Sequence, residues 1–287
     1  MKRKILLFIL CLIFLSGCSL KRFAVNRVVP VLQDVDKSIF SETNYKLVES
    51  GLPGSLLLMQ GMLRATPNNF DLLVMNAEGF CGYATGFVED EDPEYATALY
   101  LKGRDYGLKA LKHHRKFRKN LEKGEPLREA IKLIDDKDYL NALLWTGLCW
   151  GQQIMLNIND PLVIVNATDV KAIMEQVILI DDSFLYGMGH VFFGAYYASL
   201  PSIFIGGPEK VEAEFKKAFE ISEEKFLLAN VFYARYYATL MVDEALFDQE
   251  LNKVLEAPSD AIPEAALMNE IAKAKARRLL KDKSKYF

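Results

Sequence analysis

Along most of the chain apolar residues recur at i, i+3, i+4 and i+7, whereas the period-two alternation of a half-buried strand is nowhere sustained. That pattern predicts an all-α protein. Helix breakers punctuate it at Pro67-Asn68-Asn69, Glu89 to Pro93, Lys123 to Pro126, Asp160-Pro161, Asp181 to Ser183, Gly206 to Pro208 and Pro258 to Pro263. The longest helices predicted between these breaks cover 94–118 and 136–156. The second, through Leu140, Leu143, Trp145, Leu148, Trp150 and Ile154, is apolar nearly all round. Such a helix must be buried on every side, within its own array or by another subunit.

The pattern also repeats. Residues 190–200, HVFFGAYYASL, return at 230–240 as NVFYARYYATL, with Val, Phe, Tyr-Tyr-Ala and Leu in register. An apolar triad at i, i+3 and i+4, with a turn residue four positions on, recurs with it. It reads Met59, Met62, Leu63; Met174, Val177, Ile178; Phe215, Ala218, Phe219; and Leu251, Val254, Leu255. The steps from Met174 to Phe215 and on to Leu251, 41 and 36 residues, fit helix hairpins of the tetratricopeptide kind. The predicted architecture is an α-solenoid of such hairpins over 43–287. The basic amphipathic stretch from Pro263 to Leu280 suits its end cap, which must show a polar outer face.

The first residues carry a different signal. Lys2, Arg3 and Lys4 precede an apolar run from Ile5 to Leu15, then Ser16-Gly17-Cys18. At about 1.5 Å per residue the run covers roughly 16 Å, half of a hydrocarbon core of about 30 Å, so it reads as a processing segment and not a membrane span. Small residues before a cysteine are the lipobox pattern, in which the nucleophilic thiol takes a diacylglycerol. We therefore expect a signal peptide at 1–17, lipidation at Cys18, and a tether over 18–42. Ser19 in place of aspartate after Cys18 favours the outer over the inner membrane.

Loss of 1–17 removes three positive charges and shifts the formal charge from −3 to −6, which leaves no basic field for nucleic acid. The dense basic stretch Lys109 to Lys119 is expected at a helix C-terminus, where cations meet the partial negative charge. Of four cysteines, Cys81 and Cys149 remain in apolar helical settings, and the sequence leaves open whether they are bonded. No H-E-x-x-H, nucleophile elbow, phosphate loop or dinucleotide fingerprint occurs, so no enzyme, metal or cofactor is expected. Glu89 to Asp92 read as helix capping before Pro93. His190 reads as a hydrogen-bonded structural histidine ahead of a ligand contact. The many tyrosines and tryptophans are mostly core, yet they also suit a cleft that is apolar with a few hydrogen bonds.

Several local motifs carry a resemblance. They are Asn76-Ala77-Glu78-Gly79-Phe80 with Tyr83; Leu99 to Leu108, LYLKGRDYGL; Leu144-Trp145-Thr146-Gly147 with Trp150-Gly151; Gly187 to His190; Tyr196 to Pro201; Gly206-Gly207-Pro208; and Leu246-Phe247 leading to Leu255 through Pro258. In this order they resemble the T component of tripartite ATP-independent periplasmic (TRAP) transporters, a tetratricopeptide-like lipoprotein. The resemblance implies a homotrimer, an apolar cleft in each subunit, a solute-binding protein as partner and a hydrophobic, carboxylate-bearing ligand. It offers Asn76, Tyr83, Tyr100, Arg104, Tyr106, Trp145 and His190 as cleft candidates. Arg104 would either clamp a ligand carboxylate or pair with Asp105 or a nearby glutamate. The competing expectation is an envelope-assembly scaffold whose groove holds a peptide or an outer-membrane protein segment.

Overall fold

The computed structural model describes residues 2–199 and 207–287, with side chains from Leu20 onward; the side chain of Cys18 and the whole of Gly206 fall outside what it describes. The described residues hold helices and no strand, as the periodicity predicts. In order these are α1 (Lys2–Phe40), α2 (Tyr45–Ala65), α3 (Phe70–Tyr83), α4 (Pro93–Leu111), α5 (Arg115–Glu122), α6 (Leu127–Ala130) and α7 (Leu140–Leu156). There follow α8 (Pro161–Ile164), α9 (Ala167–Ile180), α10 (Phe184–Ser199), α11 (Pro208–Ser222), α12 (Leu227–Phe232), α13 (Glu244–Glu256) and α14 (Ala266–Lys281). Two turns of π-helix, Ala84–Val88 and Tyr233–Ala238, extend α3 and α12.

Side-chain caps mark several helix starts, two of them at the breakers Asn69 and Asp92. Asn44, Asn69, Asp92 and Asp243 each accept a hydrogen bond from a backbone N–H three residues on, at 2.9–3.1 Å. Each such cap contributes about 1 kcal/mol. Two sequence expectations change. The helix expected over 94–118 is broken at Lys112 to His114, because His114 leaves helical geometry and its Nδ1 caps Phe117 N–H at 3.3 Å. The basic stretch thus straddles a helix end and the next helix start. The expected tether is helical through Phe40, with Val29 buried and Ile39 and Phe40 packed against the core.

Short connections turn the chain back on itself, so consecutive helices pack side by side. The leading neighbours are α3 with α4, α4 with α7, α7 with α9 and α10 with α11. All four apolar triads lie on helices, with at least two members of each buried: Met59 and Leu63, Met174 and Val177, Phe215 and Ala218, Leu251 and Val254. Helix α7 sits among α3, α4, α9 and α10, which meets the demand of its all-round apolarity.

Glycines set how closely these helices approach. A Cβ on Gly103 would fall 2.4 Å from the Cys149 sulfur, one on Gly107 2.1 Å from Thr146 Oγ1, and one on Gly147 2.3 Å from the Met174 sulfur. At α10 the chain enters through a left-handed turn, Leu185, Tyr186 and Gly187, all with positive φ. Its two non-glycine residues cost about 1–2 kcal/mol each, and the helix that follows turns Met188 and Phe192 toward the centre of the molecule.

The last helix does not behave as an end cap with a polar outer face. Helix α14 buries Leu267, Met268, Ile271, Lys275 and Leu279 and packs against α1, α2, α12, α13 and the first π turn. Lys275 Nζ donates to Glu89 at 2.6 Å and Asp90 at 2.8 Å, and Arg278 pairs with Glu91 at 2.6 Å. Of the acidic run read as caps, only Asp92 caps a helix. The other three clasp the C-terminal helix, which no local reading reaches because the partners lie some 186 residues apart.

Candidate ligand cavity

The helices surround an apolar chamber with about 110 Å³ open to the centre of a water molecule. Its wall is built from α1 (Ile39, Phe40), α3 (Gly79, Cys81, Gly82), the first π turn, α7 (Trp145, Leu148, Met155), α10 (Met188, Phe192), α12 (Leu228, Phe232) and α14 (Leu267, Met268, Ile271). The internal repeat is visible here. Met188 and Phe192 occupy the same positions of the first copy that Leu228 and Phe232 occupy in the second, and all four face the chamber.

Few polar groups reach it. Trp145 is buried, and its indole N–H has no hydrogen-bond partner among the described residues. Asp36 from α1 and Glu78 from α3 also line the wall, with no ion-pair partner among the described residues, and no lysine, arginine or histidine joins them. Glu78 is half-buried and lines the chamber. Burial pushes the Asp36 carboxyl up to about 6. Burial first, then the like charge of Asp36, pushes Glu78 well above the usual carboxylate range.

An acid whose folded value is raised contributes stability that is complete below its unfolded value and is lost as pH rises through the folded one. Asp36→Asn should therefore melt at the parent's temperature near about pH 4 and above it near about pH 8. Thermal melts at the two pH values would show this, and equal melting temperatures at the higher pH would remove the carboxyl pair from the account.

The candidate residues named from the sequence do not converge. Trp145 alone lines the chamber. Tyr83 faces an outer groove between α2 and α4 with Pro53, Leu57 and Tyr95. Tyr106 stacks on Phe80 at 5.9 Å and accepts a hydrogen bond from Gln60. Asn76 is buried, its amide donating to the Leu72 carbonyl. Tyr100 is fully buried behind the wall; its hydroxyl donates to Glu89 and lies 2.8 Å from Oγ1 of Thr85, a wall residue, but Tyr100 does not itself line the chamber. Arg104 donates twice to Asp105 at 2.8–2.9 Å and lies 5.4 Å from the Trp150 ring, which is the pairing alternative and not a free clamp.

His190 bonds Glu214 of α11 through Nδ1 at 2.7 Å, and its repeat equivalent Asn230 bonds Glu250 of α13 at 2.8 Å. The two pairs have one role: a polar group on the first helix of a hairpin holds a carboxylate on the second. We expect His190→Asn to keep most of the stability and His190→Ala to lose about 1–3 kcal/mol, since the alanine leaves a half-buried carboxylate unpaired. Urea unfolding of both variants would check this, with equal losses arguing against a shared role. Asp36, Gln152 and Met268 were missed in the sequence, and Glu78, quoted within a motif, was not singled out as a wall residue. Nothing local marks them, because they meet only when α1 and α14 fold back over α3 and α7.

The fold and its centre define an all-helical protein wrapped around an apolar chamber. The chain belongs to the TRAP transporter T-component family, which matches residues 41–287, starting where α1 ends. That membership, expected from the motifs, sets it among the auxiliary components of TRAP-type transport. A comparison with curated proteins gave no match. Among the described residues no helix is long and apolar enough to cross a membrane.

Proposed function

We propose that this protein is a lipid-anchored, periplasm-facing auxiliary component of a TRAP uptake system that binds the system's solute-binding protein and holds an apolar guest in its central chamber. The chamber carries the reading. An apolar hollow of this size in a close-packed interior forfeits contacts that a guest would restore. Acylation at Cys18, a tetratricopeptide-like order of the hairpins, a homotrimer and an outer-membrane address belong to the same proposal and rest on the sequence motifs.

The peptide-groove alternative has less support, because an extended peptide needs an open groove and α14 packs back onto the first helices. No reaction is assigned; the lining holds the Asp36 and Glu78 carboxyls and the buried Cys81 thiol, which burial pushes up and away from the reactive thiolate.

Gly82 gives a clean test. It lines the chamber, and a Cβ built there meets nothing within 4 Å. Gly82→Leu should fill the space without loss of stability. Native mass spectrometry of parent and variant should show a co-purified small molecule on the parent alone, together with the subunit number. A parent that never carries a guest, or a variant that carries it equally, would sink the chamber reading. A pull-down with the cognate solute-binding protein that gives no complex at micromolar concentration would sink the partner reading.

A further inference from the structure

Helix α1 carries apolar residues on two sides. One side, with Val25, Val29, Leu32, Ile39 and Phe40, packs onto the body of the protein, and Asn26 accepts a hydrogen bond from the Asn69 amide at 3.1 Å, so the helix is held in place. The other side, with Leu20, Phe23, Val28, Val31 and Val35, is open to solvent, from 38% for Val28 to 68% for Leu20. These five recur at helical spacing and form a stripe about 22 Å long on one face. A contiguous apolar surface of this kind marks a place of interaction. The charges beside it say with what. From Ser19 to Gln33 the charged residues are Lys21, Arg22 and Arg27, all basic and exposed, and none makes an ion pair among the described residues. The first acid, Asp34, is paired with Lys37 at 3.0 Å. The Arg27 guanidinium lies 5.1 Å from the Phe23 ring, so cation and apolar surface sit side by side.

We propose that the outer face of α1 from Leu20 to Val35 lies in the surface of an anionic phospholipid bilayer, with the helix axis along the membrane plane. An apolar stripe with cations beside it is the make-up of a helix that rests in the interface, its aliphatic side chains at the acyl boundary and its cations among the head groups. Stripe against stripe, a second copy would bring the same unpaired cations together with no acid to meet them. The face lies outside residues 41–287, which the family model matches, so it is a feature of this chain's own leading helix. It begins two residues after Cys18 and therefore deepens the anchoring reading, on which it rests for the nearness of the membrane. Acyl chains would hold the N-terminus at the bilayer. The stripe, fixed to the body through the inner side of α1, would then set how the whole protein lies on it.

The test uses the full protein, purified as the cell processes it and bound to vesicles of phosphatidylcholine with phosphatidylglycerol. An environment-sensitive fluorophore is attached at Val31→Cys, Val35→Cys or Gln33→Cys, and the parent, whose Cys81 and Cys149 are buried, supplies the blank. All three positions are exposed, so unchanged melting temperatures should show that the variants fold. Lipids brominated in their acyl chains should quench the labels at 31 and 35 several-fold more than the label at 33, on the far side of the helix. Lys21→Gln with Arg27→Gln should weaken docking about tenfold or more, at roughly fivefold per charge, and so should vesicles of phosphatidylcholine alone. Equal quenching at 31 and 33 would overturn the proposal. So would a label at 31 that is already shielded without vesicles, which would place a second copy on the stripe. Quenching indifferent both to lipid charge and to the double substitution would overturn the anionic surface as partner. The mass of the purified chain separates the two readings. Contrast between 31 and 33 without an acyl group removes the anchor and keeps the stripe, whereas an acylated chain without contrast does the reverse.

Discussion

Lys275→Met should cost the fold about 3–5 kcal/mol, the range seen when one partner of a buried ion pair is removed. The methionine fills nearly the same space but leaves Glu89 buried, with the Tyr100 hydroxyl and Gln152 as its remaining hydrogen-bond partners among the described residues, and strands Asp90 beside it. Adding Glu89→Gln should recover part of the loss. The recovered part, read from a double-mutant cycle in urea, is the charge component. The pH dependence gives a second signature. Burial raises the Asp90 carboxyl, but the attraction and hydrogen bond of Lys275 outweigh it and hold the group below its ordinary value. Its contribution is therefore complete above about pH 4 and fades as pH falls further. For Lys275 burial lowers the ammonium, and Glu89 with Asp90 more than offset this. That contribution is present below about pH 10 and is lost as pH rises beyond. Lys275→Met should flatten both limbs, and a variant that keeps the parent's acid limb would show that the clasp does not couple α14 to the first helices.

Gly107→Leu should be comparably damaging, by about 3 kcal/mol or more. Even the first carbon of a side chain falls 2.1 Å from Thr146 Oγ1 and 3.2 Å from its Cα. That hydroxyl is buried and bonded back to the Ala142 carbonyl, so it cannot swing clear. Glycine's handicap in a helix is about 1 kcal/mol relative to alanine, less than overpacking costs, so Gly107→Ala should also destabilise, though less. Thr146→Ala in the same chain should return part of the alanine loss, since it removes the nearest atom. Thermal unfolding of the four proteins would settle the sign; an alanine variant more stable than the parent would mean that α4 and α7 can separate at no cost.

Much of this fold follows from local rules. Apolar periodicity predicted the class, the breakers at Asn69, Asp92 and Asp160 marked three helix starts, and the triads marked buried faces on α2, α9, α11 and α13. The repeat went further, since Phe192 and Phe232 face the chamber for the same reason. What local reading missed depends on contacts between distant segments. Arg104 and Arg235 are alike as residues, and each has an aromatic neighbour in the chain. Only the fold shows that Arg104 is taken by Asp105, while Arg235 faces a space that Glu89, Gln152 and Tyr236 also line. Glu89 reads as a cap until Lys275 arrives from the far end of the chain. His190 is the opposite case: its structural role was readable, and the Asn230 pairing explains why.

Each π turn holds one residue more than an α-helix needs over the same length. Glu89 N–H bonds the Ala84 carbonyl five residues back, so deleting one residue between them would turn that bond into the four-residue spacing of an α-helix and leave Glu89 in phase with Lys275. The residues inside the turn would be re-aimed, and Phe87 would shift from the chamber wall and from the Tyr45 ring that it packs on at 4.8 Å. The surplus residue thus shapes the wall of the hollow while the clasp beyond it keeps its place, so a one-codon deletion there would alter the one and spare the other.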